Sequence, residues 1–273
     1  PPPRPPVFSC AGAPRDLPFT QLSAASVVYK RQIHDIRQEY FDLSLDQYRL
    51  TFDDGLFSQY YYFPLLKKQP CKLTYFITTS YIKPGKTRSM FRGEYISYLK
   101  SKKYSYRTFI ESKFEHFMTL EEIQKLSDQS NVRIGVHSHF HDVILTRTHP
   151  RKRKALSKWK LGRFQNRPDM TREDLNIRSK LAFQGFNFSD GLIMRRTAAE
   201  WEDYIKHDTE LCLRWMEDNL GFRPDWYCFP FNEHNEKLIA ILKTYGFKNF
   251  FAGRPGKSTE VLGRTDIDSL VDD

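Results

Sequence analysis

The sequence predicts an α/β fold built on a parallel sheet. Two observations carry this: short runs rich in β-branched and aromatic residues alternate with segments of helical period, and both clusters of chemistry-bearing side chains follow directly on such runs.

The first strand is 47–52 (Gln-Tyr-Arg-Leu-Thr-Phe), stopped by Asp53-Asp54-Gly55. Leu56–Lys68 reads as a helix interrupted or kinked near Pro64. Lys72–Thr78 is the next strand. Thr119 and Glu122 then have capping-box spacing, opening a helix toward Ser127. Asn131–Val136 is a strand that delivers His137 to the same sheet edge. Residues 181–196 have no clear period, and a packed connecting loop is expected there in preference to a lid. Thr197 and Glu200 repeat the capping box for a helix over 198–220, where Trp201, Tyr204, Ile205, Cys212, Trp215 and Leu220 recur at helical spacing and Gly221 is the stop. Leu238, Ile241, Leu242 and Tyr245 line the next helix, closed by Gly246. Phe247–Ala252 and Val261–Thr265 are late strands.

Two carboxylates end the first strand, and His137-Ser138-His139-Phe140-His141 begins 83 residues after Asp54. Neighbouring side chains at a strand end point to opposite sides, so one of Asp53 and Asp54 can face a metal and the other a water or substrate. If the chain turns helical after the strand, His137 and His141 share a face as a bidentate imidazole pair requires, and His139 faces away. A carboxylate, two neutral imidazoles and an open position suit Zn²⁺; Co²⁺, Ni²⁺ or Fe²⁺ also fit. The remaining carboxylate can act as general base. Asp-Asp-Gly alone is usually a solvated turn, and a His-rich pentapeptide alone is usually incidental. Together, each after a strand, they point to metal-assisted hydrolysis.

Thr51–Gly55 resembles the first motif, and His137–His141 the His-Ser/Thr-x-x-His second motif, of the NodB-homology polysaccharide deacetylases (carbohydrate esterase family four). Further likenesses follow in order: Lys72–Thr78 with the family's second strand, Phe222–Phe231 with the strand and third motif, and Leu238–Phe247 with the helix ending in Lys-x-x-Gly-Tyr/Phe. The likeness spans roughly residues 46–268. It implies a distorted, incomplete (β/α) barrel and divalent-metal-dependent hydrolysis of N-acetyl, sometimes O-acetyl, groups on sugars. Carried over by position, Asp53 is the catalytic base, Asp54, His137 and His141 bind the metal, and the backbone N–H of Phe231 helps hold the oxyanion.

The sequence departs from the pattern twice. Cys228 stands where the family places an Arg that steadies the base, and the Leu-x-His carrying the general acid is absent. His34, His149, His234, Asp266 and Asp268 are the candidates left for that acid, while Arg264 and Asp266 are expected to meet the substrate. The departures also support an alternative, a catalytically weakened carbohydrate-binding protein that keeps the metal site.

Residues 1–18 hold seven prolines and read as an extended leader or linker, with 19–273 a single catalytic domain. No run of about 18 apolar residues occurs, so no transmembrane helix is expected. Four cysteines without Cys-x-x-Cys spacing read as buried thiols, which favours a reducing, cytoplasmic compartment. The net charge of +10 is concentrated: 83–113 holds nine Lys/Arg against two acids, and 147–180 holds twelve against three. Both insertions leave strand ends that build the active-site face of a parallel barrel, so they are expected to steer an acidic substrate, such as an anionic surface glycan or its precursor. A nucleic-acid role for them leaves the Asp and His clusters unexplained.

Overall fold

The computed structural model describes residues 21–23, 49–68, 71–94, 96, 101–147, 159, 176–189, 192–253 and 260–266. Its strands are β1 (Gln21–Ser23), β2 (Arg49–Phe52), β3 (Lys72–Ile77), β4 (Val132–Val136), β5 (Val143–Arg147), β6 (Asn176–Ser179), β7 (Phe186–Ser189), β8 (Leu192–Arg195), β9 (Trp226–Cys228), β10 (Asn249–Ala252) and β11 (Val261–Asp266). Seven of them form a ring in the order β1-β11-β10-β9-β4-β3-β2, every neighbour pair parallel. This is one strand short of a complete (β/α)₈ barrel. It is also distorted: β4 and β9 meet through the single pair Val136–Tyr227, and three-residue β1 closes the ring against β2 and β11. The expected incomplete barrel is the observed one.

The helices are α1 (Phe57–Tyr61), α2 (Phe63–Leu66), α3 (Ser101–Phe109), α4 (Leu120–Ser127), α5 (Ala198–Leu220) and α6 (Glu236–Thr244). The break expected near Pro64 falls at Tyr62, and Pro64 sits in the first turn of α2, where its missing N–H costs no helical bond. Both capping boxes form: Thr119 and Thr197 accept from the backbone N–H of Glu122 and Glu200, which reach back in return. Gly221 ends α5 in the left-handed conformation at φ 73°. Among the described residues, no helix is long and apolar enough to cross a membrane.

Phe186–Ser189 and Leu192–Arg195 differ from expectation. Instead of a packed connecting loop, β7 and β8 pair antiparallel and complete a small second sheet of order β6-β5-β7-β8. Short alternating strands with one face exposed, as at Met194, leave too weak a period to read from sequence.

The barrel core is aromatic, with Phe52 stacked on Tyr75 at 4.8 Å and both fully buried. Cys71, Cys212 and Cys228 are free and buried, as expected; Cys10 lies outside the described residues. The strand order brings the ends of β2, β4 and β9 to one rim, where the site lies.

Candidate active site

Asp53 and Asp54 follow β2 directly. Asp54 and Gly55 both take left-handed backbone, at φ 70° and 79°, so the chain turns sharply and the two carboxylates diverge. A side chain at Gly55 would be strained and would press on Ile77 and Ile82, each 3.2 Å from its Cβ position. Gln59 locks the turn by donating to the Asp53 carbonyl at 2.7 Å.

The His segment is not helical, which corrects the expectation that a helical face pairs His137 with His141. Ser138 and His141 are left-handed, at φ 69° and 48°, and the loop they shape brings the two imidazoles to 5.0 Å between centroids. Its holding contacts are polar: His141 N–H donates to Ser138 Oγ at 2.7 Å, and Thr79 N–H donates to the Ser138 carbonyl at 3.2 Å. Two left-handed non-glycine residues persist only because such contacts over-determine them. His139 turns away from the pair, with Nδ1 2.8 Å from Thr79 Oγ1.

Asp54 Oδ1 lies 3.5 Å from Nε2 of both His137 and His141. It is buried and makes no hydrogen bond among the described residues. His137 Nδ1 is 2.9 Å from the Cys228 carbonyl, which can only accept, so Nδ1 carries a proton and it is Nε2 that faces Asp54; in the neutral ring this tautomer leaves the lone pair on Nε2. Burial, outweighing Asp54, pushes the His141 pKa down to about 4, so this ring is neutral at pH 7. Asp54 Oδ1 and the two Nε2 atoms therefore converge on one point, with the His137 Nδ1 proton directed away from it. Donors around a tetrahedral Zn²⁺ lie roughly 3.4 Å apart, given bonds near 2.0–2.1 Å. The donor set fits a divalent cation, and Tyr104 of α3 holds the other Asp54 oxygen at 3.1 Å.

A second donor set, Asp53, His137 and Cys228, also lies within 4.8 Å. It is the poorer ligand. Both Asp53 oxygens are engaged by Arg264, and burial raises the Cys228 thiol well above its ordinary pKa, keeping the proton on sulfur.

Arg264 differs from its expected place on the substrate. Its Nη1 and Nη2 donate to Asp53 Oδ1 and Oδ2 at 2.6 and 2.7 Å. The other donors reach Ala252 O, Thr51 Oγ1 and Asn232 Oδ1 at 3.3, 3.3 and 3.4 Å. All five N–H groups of the guanidinium are thereby used, and none is left for a substrate. Burial raises the Asp53 pKa, but the Arg264 charge, His137 and the Arg264 and Cys228 hydrogen bonds outweigh it and hold the carboxyl well below the usual range. Cys228 also faces this carboxylate, Sγ to Oδ1 3.5 Å. So the strand position of the family's Arg carries a thiol, while a guanidinium from β11 reaches the same Asp.

Phe231 is left-handed at φ 59°, its ring 4.5 Å from His141, and its N–H donates to no group among the described residues. Asp266 is the last residue of β11, level with Ser23 of β1. His234 packs on Phe229 at 5.0 Å. His34, His149 and Asp268 lie outside the described residues. Sequence reasoning missed Tyr104 and Asp208. The second had a signal: a carboxylate on the face of α5 that otherwise carries Ile205 and Cys212.

Residues 46–161 match the family model for polysaccharide deacetylase. This segment contains both the Asp-Asp-Gly turn and the His loop, and the match bears out the resemblance read from those motifs. The deacetylase domain of BpsB from Bordetella bronchiseptica superposes with a TM-score of 0.58 at 17% identity, over 90% of this chain and 94% of that one. A de-N-acetylase from Aggregatibacter actinomycetemcomitans gives 0.55 at 14% identity, over 90% and 78%. At these identities the likeness establishes the fold. No curated protein matches the chain by sequence.

Proposed function

We propose that this protein is a metal-dependent carbohydrate deacetylase, hydrolysing N-acetyl or O-acetyl groups of a sugar or polysaccharide. One observation carries the reading: an Asp54 oxygen and the Nε2 atoms of His137 and His141 converge beside a separate carboxylate, Asp53, held as an anion. A divalent ion in that set, Zn²⁺ first, supplies a water acidified toward neutrality and a Lewis acid for the acetyl oxygen. Asp53 takes the proton from the attacking water. Arg264 keeps Asp53 ionised and fixes its orientation, and the Phe231 N–H donates to the developing oxyanion. The family match over the two motifs and the structures it resembles support the substrate class.

The test is acetate release from N-acetylated oligosaccharides by metal-stripped protein, with and without added Zn²⁺ or Co²⁺. Release is expected only with metal, and no release with any divalent ion overturns the reading. His141→Ala is expected to weaken metal binding by more than about 100-fold, beyond the effect typical of groups that only support a ligand. Isothermal titration of the stripped protein checks this.

We further propose that the substrate is anionic. Part of the positive charge in 83–113 is spent internally, since Arg88, Arg107 and Lys113 pair with Glu122, Glu115 and Glu111. In 147–180, Arg178 and Lys180 likewise pair with Glu233 and Asp142, and the other cations of the two insertions supply the steering field. KM for a uronate- or phosphate-bearing glycan is expected to rise several-fold between roughly 0.01 and 0.15 M ionic strength, as the screening length shrinks from about 30 to 8 Å. A flat KM removes the anionic substrate and leaves the deacetylase standing.

A further inference from the structure

Asp208 lies on α5, 0% exposed, behind the His loop and away from the donor set. Both its oxygens accept the His139 N–H, at 3.0 and 3.1 Å, and Oδ2 also accepts the Phe140 N–H at 3.0 Å. These are two of the three residues between the ligands His137 and His141. Successive N–H groups beside a left-handed residue, here Ser138, make a concave anion seat, and Asp208 fills it from inside the protein. The only other hydrogen bond to this carboxylate among the described residues is weak, from Cys212 Sγ at 3.9 Å. No cation pairs with it among the described residues.

Burying an unpaired carboxylate is costly, and a neutral acceptor would hold two amides more cheaply. Burial pushes the Asp208 carboxyl up to about 6, against the pull of the Phe140 and His139 amides, so the anion still predominates at neutral pH. A negative charge is retained where it fixes the strained segment between two imidazole ligands. It also adds to the negative potential around a cation held by them.

We propose that Asp208 is a positioning residue for the metal, setting the geometry and affinity of the His137–His141 pair through the backbone of His139 and Phe140. This rests on the metal reading of Asp54, His137 and His141. Conserving the side-chain shape does not conserve the role: Asn presents one acceptor and no charge, and turns an NH₂ group toward two N–H donors.

The test is titration of metal-stripped wild type, Asp208→Asn and Asp208→Ser with Zn²⁺ by calorimetry and with Co²⁺ by its visible spectrum, with folding followed by circular dichroism. Wild type is expected to bind one ion. The folded variants are expected to bind about 10–100-fold more weakly, with an altered Co²⁺ spectrum. A lower Tm together with wild-type metal affinity and an unchanged spectrum overturns the proposal, because a packing role alone gives that result. Amide exchange in the metal-stripped wild type tests the contact even if the variants do not fold: His139 and Phe140 are expected to be protected, and rapid exchange at both overturns the anchor. A wild type that binds no divalent ion sinks the metal reading itself, a result distinct from variants that bind as wild type does.

Discussion

Asp53→Asn is expected to lower kcat by about 10³-fold, within the range typical of a lost general base, while leaving metal affinity close to wild type. The separation follows from geometry. The donor set uses Asp54, His137 and His141, whereas both oxygens of Asp53 are turned to Arg264. Asn keeps the shape and one acceptor but cannot take a proton from water. It also directs an NH₂ group at a guanidinium, so a drop in Tm accompanies the kinetic loss. Acetate release and calorimetric Zn²⁺ binding on one preparation check both halves. Retained turnover removes Asp53 as the base. Lost metal binding with lost turnover moves Asp53 into the ligand set, where its proximity to His137 and Cys228 would place it.

The parts of this molecule legible in its sequence were local. Strand ends at Asp53 and His137, the capping boxes at Thr119 and Thr197, and the left-handed stop at Gly221 are each encoded within a few residues. The site's less legible half depends on contacts distant in the chain. Arg264 meets Asp53 across 211 positions, Cys228 meets it across 175, and Asp208 meets His139 across 69. No periodicity reports such pairings, and a motif comparison registers only that an Arg is absent from its usual strand. The His loop failed for a related reason. Spacing of i and i+4 fits a helix, but a loop with two left-handed residues, held by Ser138 Oγ on His141 and by Asp208 on His139 and Phe140, brings the same imidazoles together without one. Spacing recorded which side chains meet; the backbone path was fixed by tertiary hydrogen bonds.

Arg264→Met is the sharpest probe of the displaced arginine. In the wild type the Asp53 pKa is depressed, so the pair contributes stability that is fully present above about pH 4 and is lost as pH falls through the folded-state value. Removing the guanidinium leaves burial as the leading influence, and the Asp53 pKa then rises above its unfolded value. The sign of the linkage reverses: stability of the variant falls as pH rises and an unpaired buried carboxylate ionises, by about 3–5 kcal/mol for a broken buried pair. Turnover follows the same proton. The acid limb of the kcat profile is expected to move to higher pH, with kcat at neutrality down by about 10²-fold because the base is both partly protonated and no longer oriented. Arg264→Lys should recover little, since a single ammonium cannot span two carboxylate oxygens and three further acceptors. A pH–rate profile alongside thermal melts from roughly pH 2 to pH 9 checks both directions. An acid limb that stays in place in Arg264→Met, with only a uniform fall in Tm, would reduce Arg264 to a packing group and return the control of Asp53 to Cys228 and His137.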